Sequence, residues 1–309
     1  DDPDCFRALQ RRRERGELSL RVVKNINKSY IGEAIASGLR WGFGDDWLRI
    51  GGVKLFADGA LGTRTASMFA PYEGEPDNLG IVVTDKEEMV EWVSRASAAG
   101  LPAAIHAIGD RAVHDVLDVY EIVRAEETAR GEPTHLRRHR MEHVQLIHPD
   151  DRKRLGQLDI IASMQPIHAT ADYEMADRYW GERSRWGYNP RIQLDQAVVV
   201  AFGSDSPVET FEPLIGIHAA VTRRRLDGAP GSDGWYPDAR VNIEEALWGY
   251  TLGPAYAAGM EGRLGKIAPN YLADMVVLNR DITKIDPDEI PTLQVIATMV
   301  GGKWRSGGI

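Results

Sequence analysis

Two histidines and one aspartate of this sequence lie where short apolar segments end. His106 and His143 occupy the last parts of two such segments, and Asp205 comes directly after a third. Imidazole and carboxylate groups are ligands that Zn²⁺ and similar divalent ions prefer. If the three segments are parallel strands of a barrel, their carboxyl ends meet at one face, and the three side chains converge there.

Lys54 lies in a fourth apolar segment and is a weaker ligand candidate by itself. Its ammonium group has an ordinary pKa of about 10.4 and repels a cation. It becomes a ligand only where burial frees the amine to add CO2, which gives a carbamate with carboxylate-like oxygens. A lone His on a strand is more often structural, and Asp205 after Gly-Ser can equally cap a helix. The ordered set of four therefore favours a metal centre more than any one member does.

Other polar residues near these four are secondary candidates for the same site. Asp58 and Arg64 follow the Lys54 segment in a Gly-rich loop, where they either contact substrate or form a simple turn. Asp110 either anchors a ligand from outside the metal centre or caps the next helix. Gln165 and His168 end a further strand and are expected to line a pocket.

Several remaining residues are expected to serve no chemistry. Strict alternation along a strand points Glu142 away from His143, toward helices or solvent. Surface positions are predicted for four histidines and one arginine triplet: His114, His135, His148, His218 and 223–225.

The elements that must position these residues alternate between strand-like and helix-like patterns. This alternation is typical of successive βα units. The predicted strands are 20–26, 53–57, 101–108, 140–147, 160–165 and 197–203. The predicted helices are 84–99, 111–130, 213–226 and 242–258, and 172–190 is expected to be a long, aromatic functional loop or lid with helical pieces. After Gly265 the pattern changes to strands 273–278 and 295–300, followed by a Gly301-Gly302 hairpin turn.

These patterns predict an α/β fold built on a (β/α)8 barrel. A closed barrel of this kind needs eight strands, and six are counted. The chain also begins without Met, so we expect a barrel incomplete at its N-terminus. The predicted domains are 1–264, containing about strands 3 to 8 of the barrel, and 265–309, containing strands of a small β-sandwich.

Composition excludes several classes of protein. The 309 residues include 37 Lys plus Arg and 46 Asp plus Glu, a net charge of −9, which disfavours nucleic acid and anionic membranes as partners. The one cysteine, Cys5, excludes a disulfide framework and Cys-based metal clusters. No apolar run is long enough to span a bilayer. We therefore expect a cytoplasmic protein with a small-molecule substrate, and a homodimer is left open.

The order Lys, His, His, Asp on successive strands resembles the amidohydrolase superfamily. The local sequence is most similar to its amidohydrolase-3 branch, which contains YtcJ-like and N-substituted formamide deformylase-like proteins. The matching stretches are VKLFADGALGTRTA (53–66), HAIGDRAV (106–113), RMEHVQ (140–145), MQPIH (164–168), FGSDSPVE (202–209) and APNYLADMVVLNRD (268–281).

The resemblance implies roles for the four residues. Lys54 would be a carboxylated lysine that bridges two metals, and His106 and His143 would be ligands of the second metal. Asp205 would bind the first metal and shuttle a proton. The family's His-x-His pair is missing from this sequence, so one or two divalent ions, zinc in the first place, are expected.

The implied activity is hydrolysis of a non-peptide C–N bond in an amide or formamide by metal-activated hydroxide. Asp205 would act first as general base and then as general acid. Two alternatives remain. One is a regulatory protein that binds a small molecule without turnover, and the other is a metal-free lyase or isomerase that uses Lys54 as a Schiff base.

Overall fold

A computed structural model describes residues 2–308. Six strands form a parallel-type sheet in which they lie in chain order, and three more form a small antiparallel sheet. The first sheet contains β1 (Val22–Asn27), β2 (Leu48–Phe56), β3 (Ala103–Ala107), β4 (Arg140–His143), β5 (Ile161–Met164) and β6 (Val200–Phe202). The second contains β7 (Met275–Leu278), β8 (Val295–Val300) and β9 (Lys303–Ser306). The six predicted strands and the separate C-terminal sheet are confirmed.

Ten α-helices accompany these strands within the described residues. They are α1 (Pro3–Glu14), α2 (Ile31–Ala36), α3 (Lys86–Ala98), α4 (Asp110–Ala129), α5 (Arg154–Gln157), α6 (Pro166–Trp180), α7 (Pro190–Leu194), α8 (Pro213–Thr222), α9 (Ile243–Tyr250) and α10 (Leu252–Ala257). None of the helices within residues 2–308 is both long and apolar enough to cross a membrane.

Local capping explains where several of the helices begin and end. The Asn242 side chain and Glu245 form the predicted capping box at the start of α9. At the start of α3 the cap is Asp85, which accepts from the backbone of Glu88 at 2.8 Å, so the predicted cap at Thr84 is wrong by one residue. The predicted helix 242–258 is two helices, because Pro254 has no N–H to continue a helix.

The chain divides into two compact units, Asp1–Ala162 and Ser163–Ile309. The predicted domain boundary at 264/265 stays a prediction.

In the first unit, strands β1 to β4 pair in parallel around an apolar core. Register places Lys54 beside Ala104, Phe56 beside His106 and Ala107 beside His143. The carboxyl ends of β2, β3 and β4 are therefore level with one another. On β2, Val53 and Leu55 are fully buried and alternate with Lys54 and Phe56, which are more exposed.

The second unit contains β6, α6 to α10 and the small antiparallel sheet. Gly301 and Gly302 have φ values of +61° and +73° and join β8 to β9, as predicted for a hairpin turn. Segment 172–190 contains the helical pieces that were expected, because α6 continues to Trp180 and a 3-10 helix follows over Gly181–Trp186. Two surface predictions are wrong: His218 is 5% exposed and Arg223 is 2% exposed.

Candidate functional site

Two of the predicted ligands, His106 and His143, lie against each other in the first unit. Their ring centroids are 4.7 Å apart, and the planes are nearly perpendicular at 77°. The Lys54 ammonium lies 4.6 Å from the Phe56 ring centroid, and that ring is 5.2 Å from the His106 ring. Lys54 therefore reaches the two histidines through Phe56, at the carboxyl ends of three neighbouring strands.

His143 reaches this position because the backbone leaves the strand conformation there. Its φ is +74° and that of Val144 is +44°, values that L-residues rarely adopt and that cost about 1–3 kcal/mol each. Strand β4 consequently ends at His143, four residues earlier than predicted. Strain of this kind persists where surrounding contacts impose it, which is common at functional sites.

Glu142 shares a face with His106, contrary to the sequence prediction. The two residues are register partners on β4 and β3, and Glu142 forms a 2.5 Å ion pair with Arg140. The prediction assumed that alternation continues through His143, and the positive φ of His143 removes that assumption. Glu142 and Arg140 therefore belong among the polar residues of this region.

The hydrogen bond of His106 fixes which ring nitrogen carries the proton. Nε2 lies 2.8 Å from the carbonyl oxygen of Gly59. A carbonyl oxygen can only accept, so Nε2 must donate a proton to it. The neutral ring then has its lone pair on Nδ1. Metal-binding histidines commonly have this second-nitrogen bond to a carbonyl or carboxylate, which orients the ring and raises its basicity.

Asp58 is a buried residue that stabilises the region around His106 through hydrogen bonds. Its carboxylate, 2% exposed, accepts backbone N–H bonds from Ser67, Ile108 and Gly109 at 2.8–3.0 Å. Its Oδ1 is also 3.5 Å from Nε2 of His106. Burial raises the pKa of Asp58 to about 7, outweighing the three N–H bonds that lower it. Substrate contact by Asp58 stays a prediction.

Arg64 and Asp110 are held by contacts in the loops around Asp58. Nε of Arg64 pairs with Glu75 at 2.7 Å, and the backbone of Arg64 has a φ of +54°. Asp110 begins α4 and accepts backbone N–H bonds from Phe69 and Arg111, each at 3.0 Å. Asp110 therefore ties a loop to the start of a helix. Its predicted role behind a metal ligand, and substrate contact by Arg64, stay predictions.

The remaining predicted residues belong to the second unit. Asp205 follows β6 with a φ of +55°, a second strained residue among the predicted ligands. Gln165 directly precedes α6, and His168 lies in its first turn, 7% exposed. Convergence of these three residues with His106 and His143 stays a prediction.

Sequence reasoning missed an acidic partner on α6. Asp172 follows His168 by one helical turn, and it accepts a 2.9 Å hydrogen bond from the Tyr188 hydroxyl. Burial raises the pKa of Asp172, although the hydrogen bond from Tyr188 lowers it. The i, i+4 spacing of His168 and Asp172 was the available signal, but the bond to Tyr188 was not visible in sequence.

The side chains of the first unit fit a divalent ion by their chemistry. Within residues 2–308, no cluster of three or more His, Cys, Asp or Glu side chains is assembled for a metal. His106 and His143 supply two adjacent imidazoles, and the proton on Nε2 of His106 leaves Nδ1 as a donor. A carbamate on Lys54 would supply oxygen donors beside them.

Comparison with known proteins decides the family. A family model described as Amidohydrolase family matches residues 1–305. This chain belongs to the amidohydrolase family. The predicted membership is thereby confirmed, and the fold agrees with it.

Curated relatives extend this result. The chain is 37% identical over 262 residues to Protein LONG AFTER FAR-RED 3 of Arabidopsis thaliana, which covers 84% of the chain and 43% of that protein. It is 32% identical over 260 residues to N-substituted formamide deformylase of Arthrobacter pascens, covering 84% and 46%. The chain therefore spans less than half the length of these amidohydrolase relatives.

A solved structure supports the same family. An uncharacterized metal-dependent hydrolase from Pyrococcus horikoshii OT3 superposes with a TM-score of 0.80 and 31% sequence identity. The match covers 91% of this chain and 55% of that one. The parallel sheet with its helices is thus an amidohydrolase-type fold.

Proposed function

We propose that this amidohydrolase chain contributes catalytic residues to a metal-dependent hydrolase that cleaves a non-peptide C–N bond in an amide or formamide. The main observation that supports this proposal is the pair of adjacent imidazoles, His106 and His143, at the carboxyl ends of β3 and β4. The name of the Arthrobacter pascens relative supports the substrate class.

In this proposal Lys54, His106 and His143 hold a divalent ion, zinc in the first place. Such an ion lowers the pKa of a coordinated water from 15.7 to about 7 and polarises a carbonyl. The bond from His106 to Gly59 holds the ring in one orientation, so that less rotational entropy would be lost when His106 binds the ion. Lys54 enters as its carbamate, because an ammonium would repel the ion.

Asp205 moves the proton. Its carboxylate accepts a proton from the attacking water and returns it to the leaving nitrogen, as general base and then general acid. The strained backbone of Asp205 supports this role, because such conformations are retained where a side chain must be aimed.

The test uses the purified protein loaded with Zn²⁺ and assayed against N-substituted formamides, amides and cyclic ureas. We expect hydrolysis of at least one class and its loss on chelation. Asp205→Asn should retain bound zinc while turnover falls by about 10²-fold or more. Asp195→Asn, which removes an exposed carboxylate of the same unit, is the matched control and should change neither property.

Each contrary result overturns a distinct part of the proposal. Full activity of Asp205→Asn would refute the proton-transfer role, and absence of bound metal would refute the metal centre. Activity that survives chelation would instead favour Schiff-base chemistry at Lys54. Binding of these compounds without turnover by the zinc-loaded protein would support the regulatory binding protein.

A further inference from the structure

A cavity in the second unit lies beside the turn that carries Asp205. Its volume is about 200 Å³, and its lining includes Gly203 and Ser204, the two residues directly before Asp205. Apolar side chains from Ile167, Phe211 and Pro213 form much of the remaining wall. A cavity of this composition accepts a small, largely apolar group.

The Tyr250 hydroxyl is a polar group in the wall of this cavity. Tyr250 lines the cavity, and within residues 2–308 no hydrogen bond involves its hydroxyl. Burial raises the pKa of Tyr250, so the phenol keeps its proton and remains a donor. The hydroxyl is therefore available to donate to an oxygen atom of a ligand.

Gly216 makes room for this hydroxyl. A Cβ built on Gly216 would lie 1.9 Å from Oη of Tyr250, so no larger residue fits there without displacing it. Gly216 is in the interior of α8, where glycine is less favourable than alanine by about 1 kcal/mol. The helix therefore accepts a local cost that keeps the hydroxyl in this place.

The charge of a neighbouring residue limits which ligands the Tyr250 hydroxyl can bind. Glu212 also lines the cavity, and its carboxylate disfavours a second negative charge nearby. A neutral carbonyl oxygen accepts from a phenol without that repulsion. The apolar wall fits the alkyl or aryl substituent of the same molecule.

We propose that Tyr250 is a substrate-binding residue whose hydroxyl donates to the carbonyl oxygen of a neutral, N-substituted amide in this cavity. The inference rests on the proposed function for its substrate class. Beyond that function, the inference names a hydrogen-bond donor and a substrate subsite in the second unit. The cavity, the Tyr250 hydroxyl and Gly216 are the observations that support it.

The experiment measures binding of N-butylformamide to the metal-free protein by calorimetry and by thermal shift. Tyr250→Phe keeps the ring beside Phe202 and removes only the hydroxyl. We expect its affinity to fall about 3- to 10-fold, the range of one net hydrogen bond. Its unfolding midpoint without ligand should stay nearly unchanged, because the hydroxyl forms no hydrogen bond within residues 2–308.

Tyr271→Phe is the matched control, because its hydroxyl donates to the Glu261 carbonyl outside the cavity. It should bind N-butylformamide as the wild type does. Gly216→Ala should weaken binding by displacing Tyr250, because the new Cβ would lie 1.9 Å from Oη. In the double variant Gly216→Ala/Tyr250→Phe the contact with Oη is gone and a 2.9 Å approach to Cζ remains, so its unfolding midpoint should be closer to that of the wild type than the midpoint of Gly216→Ala is.

Unchanged affinity of Tyr250→Phe, or no binding of N-butylformamide by the wild type, would overturn the subsite. Tighter binding of butanoate than of N-butylformamide would overturn its preference for a neutral group. Neither result depends on turnover. If Tyr250→Phe weakens binding while the zinc-loaded wild type hydrolyses nothing, the subsite stands and the proposed function fails.

Discussion

Two histidine–carboxylate pairs lie at opposite ends of the same strands in the first unit. His106 and Asp58 lie at the carboxyl ends of β2 and β3, where His143 is also found. His139 lies at the other end, directly before β4 begins, and its partner Glu127 is on α4. Similar residue types are therefore used at both ends, but their hydrogen bonds differ.

The His139 pair is fully satisfied inside the protein. Nδ1 of His139 accepts from the backbone of Ala103 at 2.9 Å, so Nε2 carries the proton that Glu127 accepts at 2.8 Å. Glu127 also accepts from Ser97 and Arg124, each at 2.6 Å. With both ring nitrogens engaged, His139 has no lone pair left for a ligand.

The His106 pair is held by backbone groups instead. Its Nε2 donates to Gly59, and Asp58 is held by backbone N–H groups. The pKa values of Asp58 and Glu127 also shift in opposite directions. Burial would raise the pKa of Glu127, but bonds from His139, Ser97 and Arg124 outweigh it and lower that pKa to about 2. Burial prevails at Asp58 and raises its pKa to about 7. In barrels, residues at the carboxyl ends of the strands usually serve function and residues at the opposite ends usually serve stability.

Breaking the His139 pair should give the largest effect on stability. Glu127→Gln leaves the Arg124 charge, 5% exposed, without its carboxylate, and we expect a loss of about 3–5 kcal/mol in the free energy of unfolding. Chemical denaturation measures it. Glu91→Gln, which breaks an exposed 3.2 Å pair with Arg95, is the control and should cost under about 0.5 kcal/mol. Equal losses would contradict the comparison.

The contribution of Asp58 to stability should decrease as the pH rises. Its folded pKa of about 7 lies above the unfolded value of 3.8, so the folded state holds its proton more tightly. Its contribution to stability is present below pH 3.8 and is lost as pH rises to about 7, by about 4 kcal/mol. Subtracting the pH profile of Asp58→Asn from that of the wild type isolates it. A flat difference would show that Asp58 stays ionised.

The contribution of Glu127 to stability should decrease as the pH falls. Its folded pKa of about 2 lies below the ordinary value of 4.5, so its contribution is present above pH 4.5. It is lost as pH falls toward 2, by about 3 kcal/mol. Acid titration of wild type and Glu127→Gln, followed by circular dichroism, measures this difference. A difference that grew with acidity would be the contrary result.

The smallest effect on stability is expected at Arg64. Its pair with Glu75 is about one-third exposed on both sides, so Arg64→Gln should cost under about 1 kcal/mol. If Arg64 contacts substrate as predicted, KM rises while stability stays nearly constant. An unchanged KM would leave the Glu75 pair as its role. Thermal unfolding and steady-state kinetics of this one variant separate the two.

Sequence patterns predicted the strands well because buried strands and capped helices are encoded locally. The six parallel strands, the Asn242 capping box and the Gly301-Gly302 turn are all short-range features. The candidate ligands on β3 and β4 were found for the same reason, since each follows an apolar segment.

The features that were missed depend on backbone conformation or on distant partners. Nothing local predicts the positive φ of His143, and so the face of Glu142 was wrong. Arg223 was placed on the surface, but its guanidinium is buried and donates to the carbonyl oxygens of Tyr188 and Trp235. Those acceptors belong to segments that only folding brings together.

The contact between Gly59 and His106 gives a backbone atom control over imidazole basicity. The hydrogen bond that Nε2 donates to the Gly59 carbonyl oxygen makes the other ring nitrogen a stronger electron-pair donor. A Cβ at position 59 would lie 2.1 Å from Oγ1 of Thr65, so any other residue there would move the carbonyl. The electron-donating strength of His106 is thus encoded at a position that has no side chain.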